Sequence, residues 1–111
     1  MTGREYQELA LRTARKDLDS TQQLLNGALG LAGESGEVVD EIKRHLFQGH
    51  WLDKTHLQRE LGDICWYLAI AAEALGTDLD TIFQMNIDKL KDRYPAGFEV
   101  ERSINRKAGD T

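Results

Sequence analysis

Apolar positions recur every three or four residues along most of the chain and nowhere alternate with polar ones over a useful length, so the pattern predicts helices and no strands. Tyr6, Leu9, Ala10, Ala14 and Leu18 mark a first amphipathic helix over about residues 4–18. A second runs from Ser20 or Thr21, both good N-cap types, to about Phe47, where Gly49 is the stop signal. Its core stripe is Leu24, Ala28, Leu31, Val38, Val39, Ile42 and Leu46. Thr55 with Gln58 three residues on forms a capping-box pattern that opens a third helix, ending near Gly76. Thr77 or Asp78 caps a fourth, striped with Leu79, Ile82, Phe83, Asn86, Ile87 and Leu90, and Pro95 forbids its continuation beyond Tyr94. The short joins suit antiparallel neighbours, so the expected fold is all-α, a four-helix bundle. Residues 96–111 form a polar tail whose sizeable apolar residues are Phe98, Val100 and Ile104, expected to be loose or to lie over a neighbouring subunit.

The third helix is apolar on two sides. Leu57, Leu61, Ile64, Leu68, Ala72 and Leu75 share one face, while Trp66 and Ile70 fall roughly opposite. In a chain of 111 residues, expected to form one domain over 1–111, the Trp66 side is best covered by a second subunit, so a homo-oligomer is expected. The formal charge of −5 opposes binding to a nucleic-acid backbone, although a charged small substrate remains compatible if a metal supplies positive charge. With no apolar leader after Met1 and no membrane-length apolar run, the reading is a soluble cytoplasmic protein without a membrane partner. Cys65 forms no intrachain disulfide, and its place in the run Ile64–Leu68 predicts a buried small hydrophobe.

Candidate chemistry lies in the acids. Glu34 and Glu37 stand three apart on the second helix, as do Glu60 and Asp63 on the third, so each pair projects from one helical face. Such pairs are ordinarily solvated charges, but three features set these apart. No Lys or Arg between Lys16 and Lys43 neutralises Glu34, Glu37 and Glu41. Asp63 abuts the most apolar run of the chain, where an unpaired carboxylate is costly. Gly27, Gly30, Gly33 and Gly36 recur inside a helix, which calls either for tight helix packing or for close approach of a ligand. Four carboxylates converging from two helices would hold hard divalent cations through oxygen ligands. On the fourth helix Asn86, Lys89 and Arg93 share a sector and suit phosphate oxygens, although Lys89 and Arg93 also complement the helix C-terminal dipole.

The stretches Gly30–Lys43, Glu60–Leu68 and Asn86–Pro95 closely resemble the MazG-like all-alpha NTP pyrophosphohydrolases, of the short phage and bacterial type. The resemblance reaches from Tyr6 to at least Phe98, and the two-part pattern ExxE then ExxD is more specific than either half. It implies that Glu34, Glu37, Glu60 and Asp63 bind Mg²⁺, with Mn²⁺ as a substitute, and that Asn86, Lys89 and Arg93 contact nucleotide phosphates. It further implies hydrolysis of a (d)NTP to the monophosphate and pyrophosphate, by attack of a metal-activated water at the α-phosphate. Glu34 or Glu37 would accept the proton, and Lys89 and Arg93 would stabilise the departing pyrophosphate. The implied assembly is a homotetramer, a dimer of dimers.

Phosphoribosyl-ATP pyrophosphohydrolase, with similar carboxylates, is an alternative, as is a noncatalytic helical interaction module. A di-iron bundle is disfavoured because no Glu has a His three residues later; His45, His50 and His56 read as surface or loop residues.

Overall fold

A computed structural model describes residues 1–111 as five helices without a strand. They are α1 (Gly3–Leu11), α2 (Ser20–Phe47), α3 (Lys54–Ala74), α4 (Leu79–Arg93) and α5 (Val100–Ile104). All-α architecture is therefore observed, with one helix more than the periodicity predicts. The chain divides into two compact units, residues 1–79 and 80–111.

In the first unit, α1 ends at Leu11 rather than near residue 18: there the Thr13 and Ala14 N–H groups reach only three residues back, to the Ala10 and Leu11 carbonyls, and the chain tightens into turns. The Thr13 hydroxyl donates to the Ala10 carbonyl (2.8 Å), Lys16 Nζ to that of Leu11 (2.8 Å), and the Trp66 indole N–H to Ala10 (3.2 Å) and Thr13 Oγ1 (2.8 Å). At the Ala10 and Leu11 carbonyls these side-chain donors add to the backbone bonds already made there. The cap of α2 lies one residue before the expected ones: Asp19 accepts from the Gln22 N–H while the Gln22 side chain accepts from the Asp19 N–H, a reciprocal capping box. Gly49, at φ 71°, turns the chain out of α2, and the His50 N–H reaches back to the Arg44 carbonyl. Asp53 rather than Thr55 caps α3, accepting from the His56 N–H at 3.0 Å.

Helices α2 and α3 pack antiparallel, and glycines set their register. A Cβ on Gly27 would meet the Ala71 backbone at 3.1–3.2 Å, and one on Gly30 would meet the Tyr67 ring at 2.1–2.4 Å. Tight packing thus accounts for these two glycines; Gly33 and Gly36 have nothing within 4 Å of a built Cβ. Replacing Gly27 by Ala forces the Ala71 backbone, in the middle of a packed helix, to move. An overpacking cost of about 1–3 kcal/mol then exceeds the gain of about 1 kcal/mol in helix propensity. Urea unfolding should show Gly27→Ala less stable and Gly33→Ala more stable than the parent.

The buried core is small: Ala10, Ala69, Ile70, Ala72 and Leu79, with Tyr6 and Trp66 packed against its alanines and leucine. Gln7 is buried but fully used, donating to Glu73 Oε2 and the Thr77 carbonyl and accepting from the Leu79 N–H. The covered side of α3 differs from the expected one. Ile70 is 1% exposed and Trp66 faces α1 of its own chain, whereas Leu61, Leu68 and Leu75 on the opposite stripe are open. The α2 stripe is likewise largely exposed, with Val39, Ile42 and Leu46 all facing out. Cys65 is an exposed free thiol, not a buried hydrophobe, because an apolar run that winds round a helix places one member on the sector its neighbours leave open.

In the second unit the tail is neither loose nor extended. Lys107 Nζ pairs with Asp92 at 2.5 Å, Arg93 grips Asp110, and the Tyr94 and Phe98 rings lie 5.3 Å apart. No helix of the chain is long and apolar enough to cross a membrane.

Candidate metal centre

The antiparallel register that seats Gly30 on Tyr67 carries the next turns into apposition. One turn on along α2 comes Glu34, and one turn back along α3 comes Asp63; a further turn brings Glu37 opposite Glu60, and the next Glu41 opposite His56. Carboxylate oxygens of Glu34, Glu37 and Glu60 accordingly lie within 4.8 Å of one another. Asp63 stands outside that three-way group on an exposed position, yet its charge acts on Glu34, on Glu37 and on the Tyr6 hydroxyl. Of the four expected ligands, three therefore converge and the fourth is one turn away.

Such crowding is resolved by a shared proton. The Glu34 carboxyl is raised from 4.5 to about 7, first by its hydrogen bond to Glu60, then by loss of hydration and the fields of Glu37, Glu60 and Asp63. Glu37 is raised chiefly by its own hydrogen bond to Glu60. Glu60 is lowered, foremost because it accepts from Glu34, with Glu37 and the adjacent His56 acting in the same direction against its burial. Each of Glu34 and Glu60 nevertheless keeps one buried oxygen, Oε2, without a hydrogen bond. Buried anionic oxygens without donors are costly, and a hard divalent cation is the partner that satisfies several at once, so this donor set fits a metal.

A stability consequence follows for the metal-free protein. The folded chain holds a proton on Glu34 that the unfolded chain releases near 4.5, so folding binds protons between about 4.5 and about 7. Stability contributed by this group is complete below that window and is lost as pH rises through it. Melting temperatures in chelator should fall from pH 4.5 to 7.5; a rise across that range would contradict the shared proton.

The carboxylates open on a groove of about 430 Å³ between α2 and α3, floored by Gly33 and Gly36 and bordered by Glu37, Glu41, Arg44 and His56. The two open glycines therefore line the groove. Periodicity drew attention to Glu41 only as a neighbour and to His56 only as a surface residue. His56 Nε2 in fact lies 2.6 Å from Glu41 Oε1 and 3.1 Å from Glu60 Oε1. The available signal was its position four residues before Glu60, matching that of Glu41 four after Glu37.

The expected phosphate residues lie in the second unit. Asn86 and Lys89 are exposed on α4. The Arg93 guanidinium is nearly buried and makes a bidentate pair with Asp110, at 2.9 and 2.6 Å, which raises the arginine and lowers the carboxyl. Its fork is thus occupied by the chain's own carboxylate, on which Arg106 and Lys89 also act.

Comparison with known proteins bears on this arrangement. The profile of the MazG nucleotide pyrophosphohydrolase domain matches residues 22–98, a span that holds all four acids and the three α4 residues but not α1. The Gene 37 protein of Mycobacterium phage L5 is 34% identical over 103 residues, covering 89% of this chain and 90% of the phage protein. No solved structure matches.

Proposed function

The chain belongs to the MazG nucleotide pyrophosphohydrolase family, and from that premise we propose that it hydrolyses a nucleoside triphosphate to the monophosphate and pyrophosphate, with Mg²⁺ as cofactor. The observation that carries this reading is the convergence of Glu34, Glu37 and Glu60 around buried oxygens that lack hydrogen bonds. These three, with Asp63, would hold Mg²⁺ or, in its place, Mn²⁺. Bound there, the cation would neutralise triphosphate charge and lower the pKa of water to be used in attack at the α-phosphorus.

What the chain itself contributes is a base and a set of donors. Glu34 and Glu37 are the two candidates to accept a proton from the attacking water, the role falling to a carboxylate that the metal does not saturate. Glu60, held ionised, stays a donor of negative charge throughout. Asn86, Lys89 and Arg93 contact phosphate oxygens, Arg93 after exchanging Asp110 for the substrate anion. Lys89→Ala should lower kcat/KM by roughly 10- to 150-fold, the loss of a charge-assisted contact of about 1.5–3 kcal/mol. An unchanged value would leave Lys89 as a surface residue that complements the helix dipole.

Open apolar side chains support self-association: Leu25, Leu29, Leu46 and Phe47 on α2 are 55–80% exposed and offer a second copy apolar surface to cover. The assembly we propose is a homo-oligomer, a dimer of dimers. Light scattering giving 12.6 kDa at micromolar concentration would rule it out.

The deciding experiment is product analysis over ribo- and deoxyribonucleoside triphosphates, with phosphoribosyl-ATP included, at millimolar Mg²⁺. Monophosphate and pyrophosphate in equal amounts are expected. No product from any substrate, together with a melting temperature indifferent to Mg²⁺, would instead make the chain a noncatalytic helical module.

A further inference from the structure

Beside the three-carboxylate group, the same groove holds a second constellation of different chemistry. His56 Nε2 faces Glu41 Oε1 at 2.6 Å and Glu60 Oε1 at 3.1 Å, and one ligand atom from each of the three residues lies within 4.8 Å of the others. A single Nε2–H can point well at only one of the two carboxylates, so a proton alone serves this cluster incompletely. Glu60 is 7% exposed, belongs to both groups and keeps Oε2 buried without any hydrogen bond. Arg44, the cation bordering the groove, pairs with Asp40, and its own buried Nε has no acceptor. The cluster therefore combines an imidazole nitrogen, two carboxylates and an unserved buried oxygen, beside a floor of glycines that leaves room for further ligands.

We propose that Glu41, His56 and Glu60 form a second cation site, one for a late first-row divalent ion such as Co²⁺ or Zn²⁺, joined to the carboxylate site through Glu60. An imidazole nitrogen with carboxylate oxygens suits these ions, whereas Mg²⁺ takes oxygen ligands and gains little from nitrogen. The register of α2 on α3 explains why these side chains meet: the apposition that places Glu37 opposite Glu60 places Glu41 opposite His56 one turn further on. The inference touches the proposed hydrolase only through the shared Glu60, and it holds or fails on different residues.

Co²⁺ is the probe, followed on the full-length protein by its visible absorption, with Mg²⁺ binding read separately as a rise in melting temperature. In the parent, Co²⁺ should develop bands of a nitrogen-containing site. His56→Gln and Glu41→Gln should each weaken Co²⁺ binding by about 100-fold or more, above the range seen for residues that only support a ligand. The Mg²⁺ response should survive His56→Gln and be lost in Glu34→Gln. A second readout is independent of any variant: on adding Zn²⁺, but not Mg²⁺, the His56 Nε2 resonance should shift in nitrogen NMR of the parent. Co²⁺ affinity and spectrum unchanged in His56→Gln, or a His56 ring indifferent to Zn²⁺, would overturn the site and leave His56 as an ion-pair partner, whatever the Mg²⁺ result. An Mg²⁺ response absent from the parent, with Co²⁺ still bound through His56, would sink the proposed hydrolase site and uphold this one.

Discussion

Glu60→Gln is expected to lower turnover by about 10³-fold, equivalent to about 4 kcal/mol of lost transition-state stabilisation, while leaving the helices intact. Glu60 is the buried centre of the carboxylate group: Glu34 and Glu37 both hydrogen bond to it, and it remains ionised while they take up the proton. An amide cannot supply that charge. Two further readouts separate loss of the site from loss of the fold. Circular dichroism should be unchanged, and the fall of metal-free stability between about 4.5 and about 7 should shrink, because Glu34 loses the partner that holds its proton. The rise in melting temperature with Mg²⁺ should also vanish. Full turnover in this variant would remove Glu60, and with it the carboxylate centre, from the reaction.

Trp66→Ala should cost about 3 kcal/mol of stability, at the low end for truncating a packed aromatic because the indole is only half buried. The ring joins α3 to α1: it packs on the small core with Tyr6, meets Tyr67 edge-on at 5.1 Å, and its N–H closes the end of α1 at Ala10 and Thr13. Trp66→Phe keeps most of the packing and drops those hydrogen bonds, so its loss should be about 1 kcal/mol. Urea midpoints for the two variants measure both quantities. An unaltered midpoint for Trp66→Ala would mean that Gln7, the packing of Tyr6 and Ala10, and the Arg4–Asp78 pair suffice to hold α1. Because the indole is engaged within its own chain, light scattering of folded Trp66→Ala should give the parent's mass, in contrast to the interface role that the two-sided pattern of α3 suggests. Substitutions that dissociate an assembly belong on the open stripe of Leu61, Leu68 and Leu75 instead.

Much of this was legible without coordinates because it is local. A helix repeats every 3.6 residues, so the periodicity of α2, α3 and α4 and the i,i+3 spacing of Glu34 with Glu37 and Glu60 with Asp63 follow from the order of residues alone. The all-α class and the family resemblance rest on the same short-range patterns. Where helices begin and end was less legible: Asp19 and Asp53 took the caps from neighbours of equal aptitude, and α1 stops at Leu11, where the backbone tightens and side chains of Thr13, Lys16 and Trp66 add to its last bonds. Relations across elements could not be read at all. Which apolar side of α3 is covered depends on where α1 docks, and the fate of the tail depends on Asp110 finding Arg93. Above all, the register of α2 on α3 is decided by how closely Gly27 and Gly30 let Ala71 and Tyr67 approach, since a helix fixes the spacing within each acidic pair but not its height against the other. That height brings Glu34 and Glu37 onto Glu60, leaves Asp63 one turn away, and turns His56 from a surface histidine into a neighbour of two carboxylates.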